Sequence, residues 1–97
     1  MQVTLLVKLS VKPGLADSVR AAFRPALAST KREQGCIAYD LYSIEGDPDM
    51  LYLHEIWADQ ATLDTHMAQP YMADMMAELT PLFEGGPDVK KLTKVDG

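Results

Sequence analysis

The chain predicts an α+β, ferredoxin-like domain of the split βαβ type, with element order β-α-β-β-α-β, and three features carry that prediction. The apolar period changes from two to near 3.6 across Pro13-Gly14. Two strand-like runs, CIAYDLYSI and MLYLHEIWA, flank Gly46-Asp47-Pro48-Asp49 as a hairpin would. Helical spacing then returns, and a short apolar run closes the chain. That order places the helices on one face of an antiparallel sheet. With 97 residues, the sequence accommodates one domain, 1–97.

Residues 2–12 form the first predicted strand, with Val3, Leu5, Val7, Leu9 and Val11 on one strongly apolar face. Pro13-Gly14 ends it. Leu15, Val19, Ala22, Phe23 and Leu27 then fall at helical spacing, with Asp17, Arg20 and Arg24 elsewhere on the wheel. Pro25 lies inside this helix and predicts a bend, because it removes a backbone donor. Gly35 is the expected stop, after Lys31 and Arg32, which suit a helix C-terminus.

Cys36 to Ile44 reads as the second strand, with Ile37, Tyr39, Leu41 and Ser43 on one face. Met50 to Ala58 reads as the third. Asp59 is placed to cap the next helix, whose inner face carries Leu63, His66 and Met67. Pro70 interrupts that helix, and Tyr71, Met72, Met75, Met76 and Leu79 continue it as a second piece. Gly85 to Asp88 is a turn, and Val89 to Val95 is the final strand.

So small a domain buries only roughly two-thirds of the surface its unfolded chain exposes, so a further source of stability is expected. A disulfide within the chain is excluded because Cys36 is the single cysteine, and no Cys/His cluster offers a zinc site. Oligomerisation is left, and strands that alternate apolar residues on both sides point to sheet-to-sheet pairing in a homodimer. A net charge of −5 argues against a nucleic-acid partner. No run is long enough to span a membrane, and the N-terminal MQVTLLVKLSVKPG does not resemble a signal peptide. A lone thiol without an export signal implies a cytoplasmic protein.

Most of the aromatic and imidazole chemistry falls between Leu51 and Met72, which suggests a pocket between sheet and helix. His66 is either a histidine satisfied by backbone or tyrosine oxygens, or a neutral imidazole serving as base or hydrogen-bond partner. Alternation forbids His54 and Glu55 from sharing a sheet face, so one lines the helix side and the other faces away. Trp57 shares the face of Glu55, whose carboxylate is a sequence-near acceptor for the indole N–H. Tyr39, Tyr42 and Tyr71 are amphipathic fillers, or in a closed pocket would orient a phenolic or keto substrate. Met67, Met72, Met75 and Met76 read as deformable core, or as the wall of a site for a flat apolar ligand. Two histidines twelve residues apart, with no HxxxH pair, give only a weak metal signal. Cys36 lacks the surroundings that lower a thiol pKa. Neither glycine-rich phosphate motif is present, so a nucleotide cofactor is unsupported.

The run ExGCxxYDLY from Glu33 to Tyr42, followed by LHEIWADQATLDTHMAQPYM from Leu53 to Met72, resembles the antibiotic biosynthesis monooxygenase domain family. Within it, the chain looks most like the small bacterial quinol monooxygenases. The resemblance spans nearly the whole chain and is most specific at Gly35-Cys36, Tyr39, Glu55-x-Trp57, and His66 followed by Pro70. It implies a dimeric α+β barrel and cofactor-free oxidation of a quinol-like or phenolic small molecule by O₂. His66 and Tyr39 would be the catalytic polar groups; His54, Trp57, Tyr71 and Met67 would contact substrate. Haem-degrading members instead need an Asn, a Trp and a His at positions that here hold Val7, His66 and Met76, so haem breakdown is not expected. Two other functions fit the residues: an isomerase or lyase of a small keto compound, and a non-catalytic dimer that binds a small aromatic. The isomerase would turn over under argon, and the binding protein would not turn over at all.

Overall fold

The computed structural model describes residues 1–96, and its first strand gives way to its first helix at the turn around Pro13-Gly14, where the apolar period changes. The elements are β1 (Val3–Ser10), α1 (Ala16–Lys31), β2 (Cys36–Ile44), β3 (Asp47–Trp57), α2 (Gln60–Met67), α3 (Pro70–Leu79) and β4 (Asp88–Leu92), with a 3₁₀ turn at Thr80–Leu82. The sheet order is β2-β3-β1-β4, and every neighbouring pair is antiparallel. This is the ferredoxin-like α+β fold: β3 slots between β1 and β2, and β1 slots between β3 and β4, so each helical crossover spans one intervening strand.

Strand alternation decides what each sheet face carries. Val3, Val7 and Leu9 of β1 are buried on the helix side, as are Leu51, Leu53, Glu55 and Trp57 of β3. Val19, Phe23 and Ala26 of α1 and Met72, Met75 and Leu79 of α3 pack onto them as one core. Val19, Trp57 and Leu79 are fully excluded from solvent. The opposite face carries Leu6, Met50, Tyr52, His54 and Ile56, all half-buried, and no element among the described residues covers it.

Helix ends follow local chemistry. α1 runs through Pro25 to Lys31, and the chain turns at Gly35 with φ +86°. α2 begins with a reciprocal capping box. The Asp59 side chain accepts from the Thr62 N–H at 2.8 Å, and the Thr62 hydroxyl oxygen accepts from the Asp59 N–H at 3.3 Å. The bond from the Thr62 N–H, above all, holds the Asp59 carboxyl below its usual range. Pro70 is the first residue of α3, a position where its missing donor costs nothing.

Three expectations from the sequence are corrected. β3 starts at Asp47 rather than Met50, leaving a tight turn at Glu45-Gly46. Pro48 is tolerated there because β3 overhangs the last β1 pair, Ser10–Met50, beside a register shift in β2. Ile37 does not share the face of Tyr39. A register shift between Cys36 and Ala38 turns it outward, 53% exposed, and sets Cys36 opposite Trp57. β4 stops at Leu92 because its partner β1 runs out: Leu92 pairs with Thr4, one residue from the strand's start.

Candidate active site

A cavity of about 440 Å³ lies between the helix side of the sheet and helices α2 and α3. Its walls are mostly aliphatic, thioether and phenyl groups, among them Leu53, Leu63, Met72, Met75, Phe23 and Phe83. Four polar side chains reach it: Tyr39, Glu55, Gln60 and Lys91. Gln60 and Lys91 are exposed, and the Lys91 Nζ donates to Gln60 Oε1 at 3.2 Å, linking β4 to α2. Tyr39 and Glu55 are buried, at 1% and 6% exposure. An apolar chamber of this size with few polar groups has the form of a small-molecule site.

Sheet register brings the two buried polar groups together. Tyr39 of β2 stands directly opposite Glu55 of β3, which pairs with Leu5 of β1 on its other side. Burial, chiefly, pushes the Glu55 carboxyl above the ordinary carboxylate range, while the Trp57 N–H and the nearby His66 pull the other way. Burial and the adjacent Glu55 drive the Tyr39 hydroxyl well above the ordinary phenol range, so it keeps its proton. A protonated phenol and a carboxyl with raised proton affinity therefore sit side by side against an apolar chamber. Such a pair can accept a proton and hydrogen-bond to an oxygen.

Behind Glu55 lies a second, closed layer. The Trp57 Nε1–H donates to Glu55 Oε1 at 2.9 Å. The indole is stacked on the His66 ring with centroids 4.7 Å apart and planes inclined by 29°. Tyr39 meets the same imidazole edge-on at 5.4 Å. His66 Nδ1 lies 2.8 Å from Glu33 Oε2, which also accepts from the Tyr71 hydroxyl. Because Tyr71 spends its single proton on Glu33, the Thr30 hydroxyl is the donor in their 2.9 Å contact. Burial and the carboxylate together push the Tyr71 hydroxyl up to about 12. His66 Nε2 is buried and, among the described residues, has no hydrogen-bond partner.

The expected site residues therefore separate into three places. Tyr39 and Met67 line the cavity, Met67 at its rim with 60% exposure. His66, Trp57 and Tyr71 belong to the closed layer and do not line it. His54 is on the uncovered sheet face, registered with Leu6 and Asp40, and does not reach the cavity at all. β3 alternation is the reason, since Glu55 takes the inward position. The predicted Glu55–Trp57 bond is present, but Glu55 itself was not among the expected site residues. Its shared face with Leu51, Leu53 and Trp57 was the available signal. Glu33 carried no such signal, because its partners lie 33 and 38 residues away in sequence.

Cys36 is half-buried, and burial with the neighbouring Glu33 carboxylate raises its thiol pKa, which does not suit a nucleophile. Among the described residues, no group of three or more His, Cys, Asp or Glu is placed to hold a metal ion, and no helix is long and apolar enough to cross a membrane.

Comparison with known proteins bears on what such a chamber does. Residues 2–78 match the family model described as antibiotic biosynthesis monooxygenase. Rv0793 of Mycobacterium tuberculosis, named as a candidate monooxygenase, is 27% identical over 97% of this chain and 92% of its own length. Its solved structure superposes with a TM-score of 0.89 at 26% identity, covering all of this chain and 98% of that one. A crystal structure described as an antibiotic biosynthesis monooxygenase gives 0.89 at 26% identity, over 99% of this chain and 100% of its own. An uncharacterised Synechocystis protein is 26% identical over 84% of this chain, which spans only 56% of that relative's length.

Proposed function

Because the chain belongs to the antibiotic biosynthesis monooxygenase family, we propose that it oxidises a quinol-like or phenolic small molecule with O₂ and without a resident cofactor. The observation that carries this reading is the apolar chamber of about 440 Å³ with Tyr39 and Glu55 as the buried polar side chains among the described residues that line it. The chemistry balances internally. A hydroquinone and O₂ give a hydroxyquinone and water, the ring supplying all four electrons, so no outside reductant is consumed. The protein's part is to desolvate the substrate, take its phenolic proton and hydrogen-bond to the oxygen on which charge develops. Tyr39, protonated throughout the working pH range, is the donor for that oxygen.

The test is oxygen uptake by purified, metal-free protein against a panel of hydroquinones. Wild type is expected to exceed the spontaneous rate, and Tyr39→Phe to lower kcat on the order of 100-fold, as loss of one such donor does. Uptake no faster than the blank with every quinol would sink the reading. A second reading draws on Glu55: a carboxyl of raised proton affinity in a dry site also suits proton transfer on a keto compound. Turnover under argon distinguishes it, since the oxygenase has none.

The same proposal includes a homodimer, supported by the uncovered sheet face that carries Leu6, Met50, Tyr52 and Ile56. Ile56→Lys, on the inner strand β3 near one end of that face, is expected to shift the mass measured by light scattering from two chains to one. A wild type that elutes as a monomer would overturn the assignment.

A further inference from the structure

We infer that Glu55 is the proton acceptor of the cavity and that Trp57, backed by His66, is the positioning residue that aims it. On this reading the site takes molecules that present an acidic hydroxyl, a phenol or an enol, to a carboxylate. The inference rests on the small-molecule reading above and deepens it by naming the group that receives the proton.

Glu55 is the one acidic side chain among those lining the chamber, and it stands opposite Tyr39 in the sheet register. One carboxylate oxygen is held by the indole N–H at 2.9 Å, which fixes the rotamer. Trp57 cannot turn away, because it is fully buried and one face lies on the His66 ring 4.7 Å away. His66 cannot turn either, since its Nδ1 is bonded to Glu33, which also accepts from Tyr71. The order of constraint therefore runs from Glu33 to His66, from His66 to Trp57 and from Trp57 to Glu55. Only the last of these reaches the chamber.

In the step itself, the substrate O–H bond breaks and a carboxyl O–H bond forms on Glu55. The oxyanion left behind accepts a hydrogen bond from Tyr39. His66 touches neither atom, so it acts through Trp57 rather than as a reactant. This differs from the catalytic role expected for His66 from the sequence, and the two make opposite predictions for a ring that cannot titrate.

The experiment uses Trp57 as its own reporter, because it is the only tryptophan in the chain. Its fluorescence is followed against pH, with and without 4-cyanophenol, a monophenol chosen to bind without being oxidised. The wild type is expected to show one transition above the ordinary carboxylate range, absent in Glu55→Gln, and Glu55→Gln to bind 4-cyanophenol at least about tenfold more weakly. In turnover, Glu55→Gln is expected to lower kcat by about 100-fold or more with KM changed only a few-fold. Trp57→Phe keeps an aromatic ring beside His66 and loses the N–H. It should move the acid limb of the kcat profile to higher pH, because the bond that stabilises the carboxylate is gone. His66→Ala should lower kcat about tenfold, and His66→Phe should recover most of that loss.

A fluorescence transition and phenol affinity unchanged in Glu55→Gln would overturn the inference, as would an acid limb unmoved in Trp57→Phe. His66→Phe as inactive as His66→Ala would return the proton chemistry to the imidazole and overturn it too. Absence of oxygen uptake, with the Glu55-dependent transition and binding intact, would sink the oxygenase reading alone and support Glu55 as the acceptor.

Discussion

Gly35→Ala is expected to lower the unfolding free energy by about 3 kcal/mol, a large part of the margin of a domain this small. Two costs add. The residue sits at φ +86°, where a Cβ is disfavoured by about 1–2 kcal/mol. That Cβ would also lie 2.6 Å from the Thr62 Cβ and 2.7 Å from its Oγ1, far inside contact distance. Neither neighbour is free to yield, because the Thr62 hydroxyl completes the cap of α2 and the Gly35 carbonyl accepts from the Ala58 N–H at 2.8 Å. Gly14→Ala is the matched control: its φ is +81°, but nothing lies within 4 Å of the added methyl. Urea unfolding of the two variants separates the terms, and Gly35→Ala should cost about 2 kcal/mol more. Equal losses would show that the contact with Thr62 is relieved at no cost.

Glu33→Ala is the second large effect, an expected loss of about 2–4 kcal/mol, whereas Glu33→Gln should cost under about 1 kcal/mol. The carboxylate is the shared acceptor for His66 and Tyr71 and is itself only 14% exposed in its side chain. Alanine takes the Glu33 acceptor from both, leaving Tyr71 only the Thr30 hydroxyl and the His66 Nδ1 no acceptor. For His66 that means both ring nitrogens, since Nε2 already has no partner among the described residues. Glutamine keeps one oxygen at the same place. Comparable stability of the Ala and Gln variants in denaturant titrations would rule this account out.

Tyr71 adds a pH signature to the same cluster. Its hydroxyl is raised from 10.0 to about 12, so the folded state favours the protonated form. The stability this contributes is whole below pH 10 and is lost as pH rises from there toward 12. Glu33→Ala removes one of the causes of that shift, so the ultraviolet titration of Tyr71 should move to lower pH in the variant.

Much of the fold is local and was therefore legible. The period change at Pro13-Gly14, the cap at Asp59 and the break at Pro70 each depend on residues within a few positions of one another. The errors arose where a partner strand decides. Alternation alone puts Ile37 on the face of Tyr39, and only pairing with β3 introduces the register shift that turns it out. Composition alone extends the last strand to Val95, whereas its length is set by where β1 begins, at the far end of the chain.

The candidate site divides in the same way. From the sequence came the inward-facing helix position of His66, the aromatic content of the region, and the rule that His54 and Glu55 face opposite sides. Which of the two faces inward was decided by the sheet packing onto α1 and α3, and it brought Glu55 rather than His54 to the chamber. Likewise, no spacing along the chain shows that Glu33, Thr30, His66 and Tyr71 converge, because they come from the end of α1 and the turn after it, from α2 and from α3. Side-chain types and local periodicity belong to the sequence because they act over one turn or one strand. Sidedness, strand length and the separation of a cavity carboxyl from the buried imidazole behind it belong to the tertiary structure, because each depends on contacts between residues far apart in the chain.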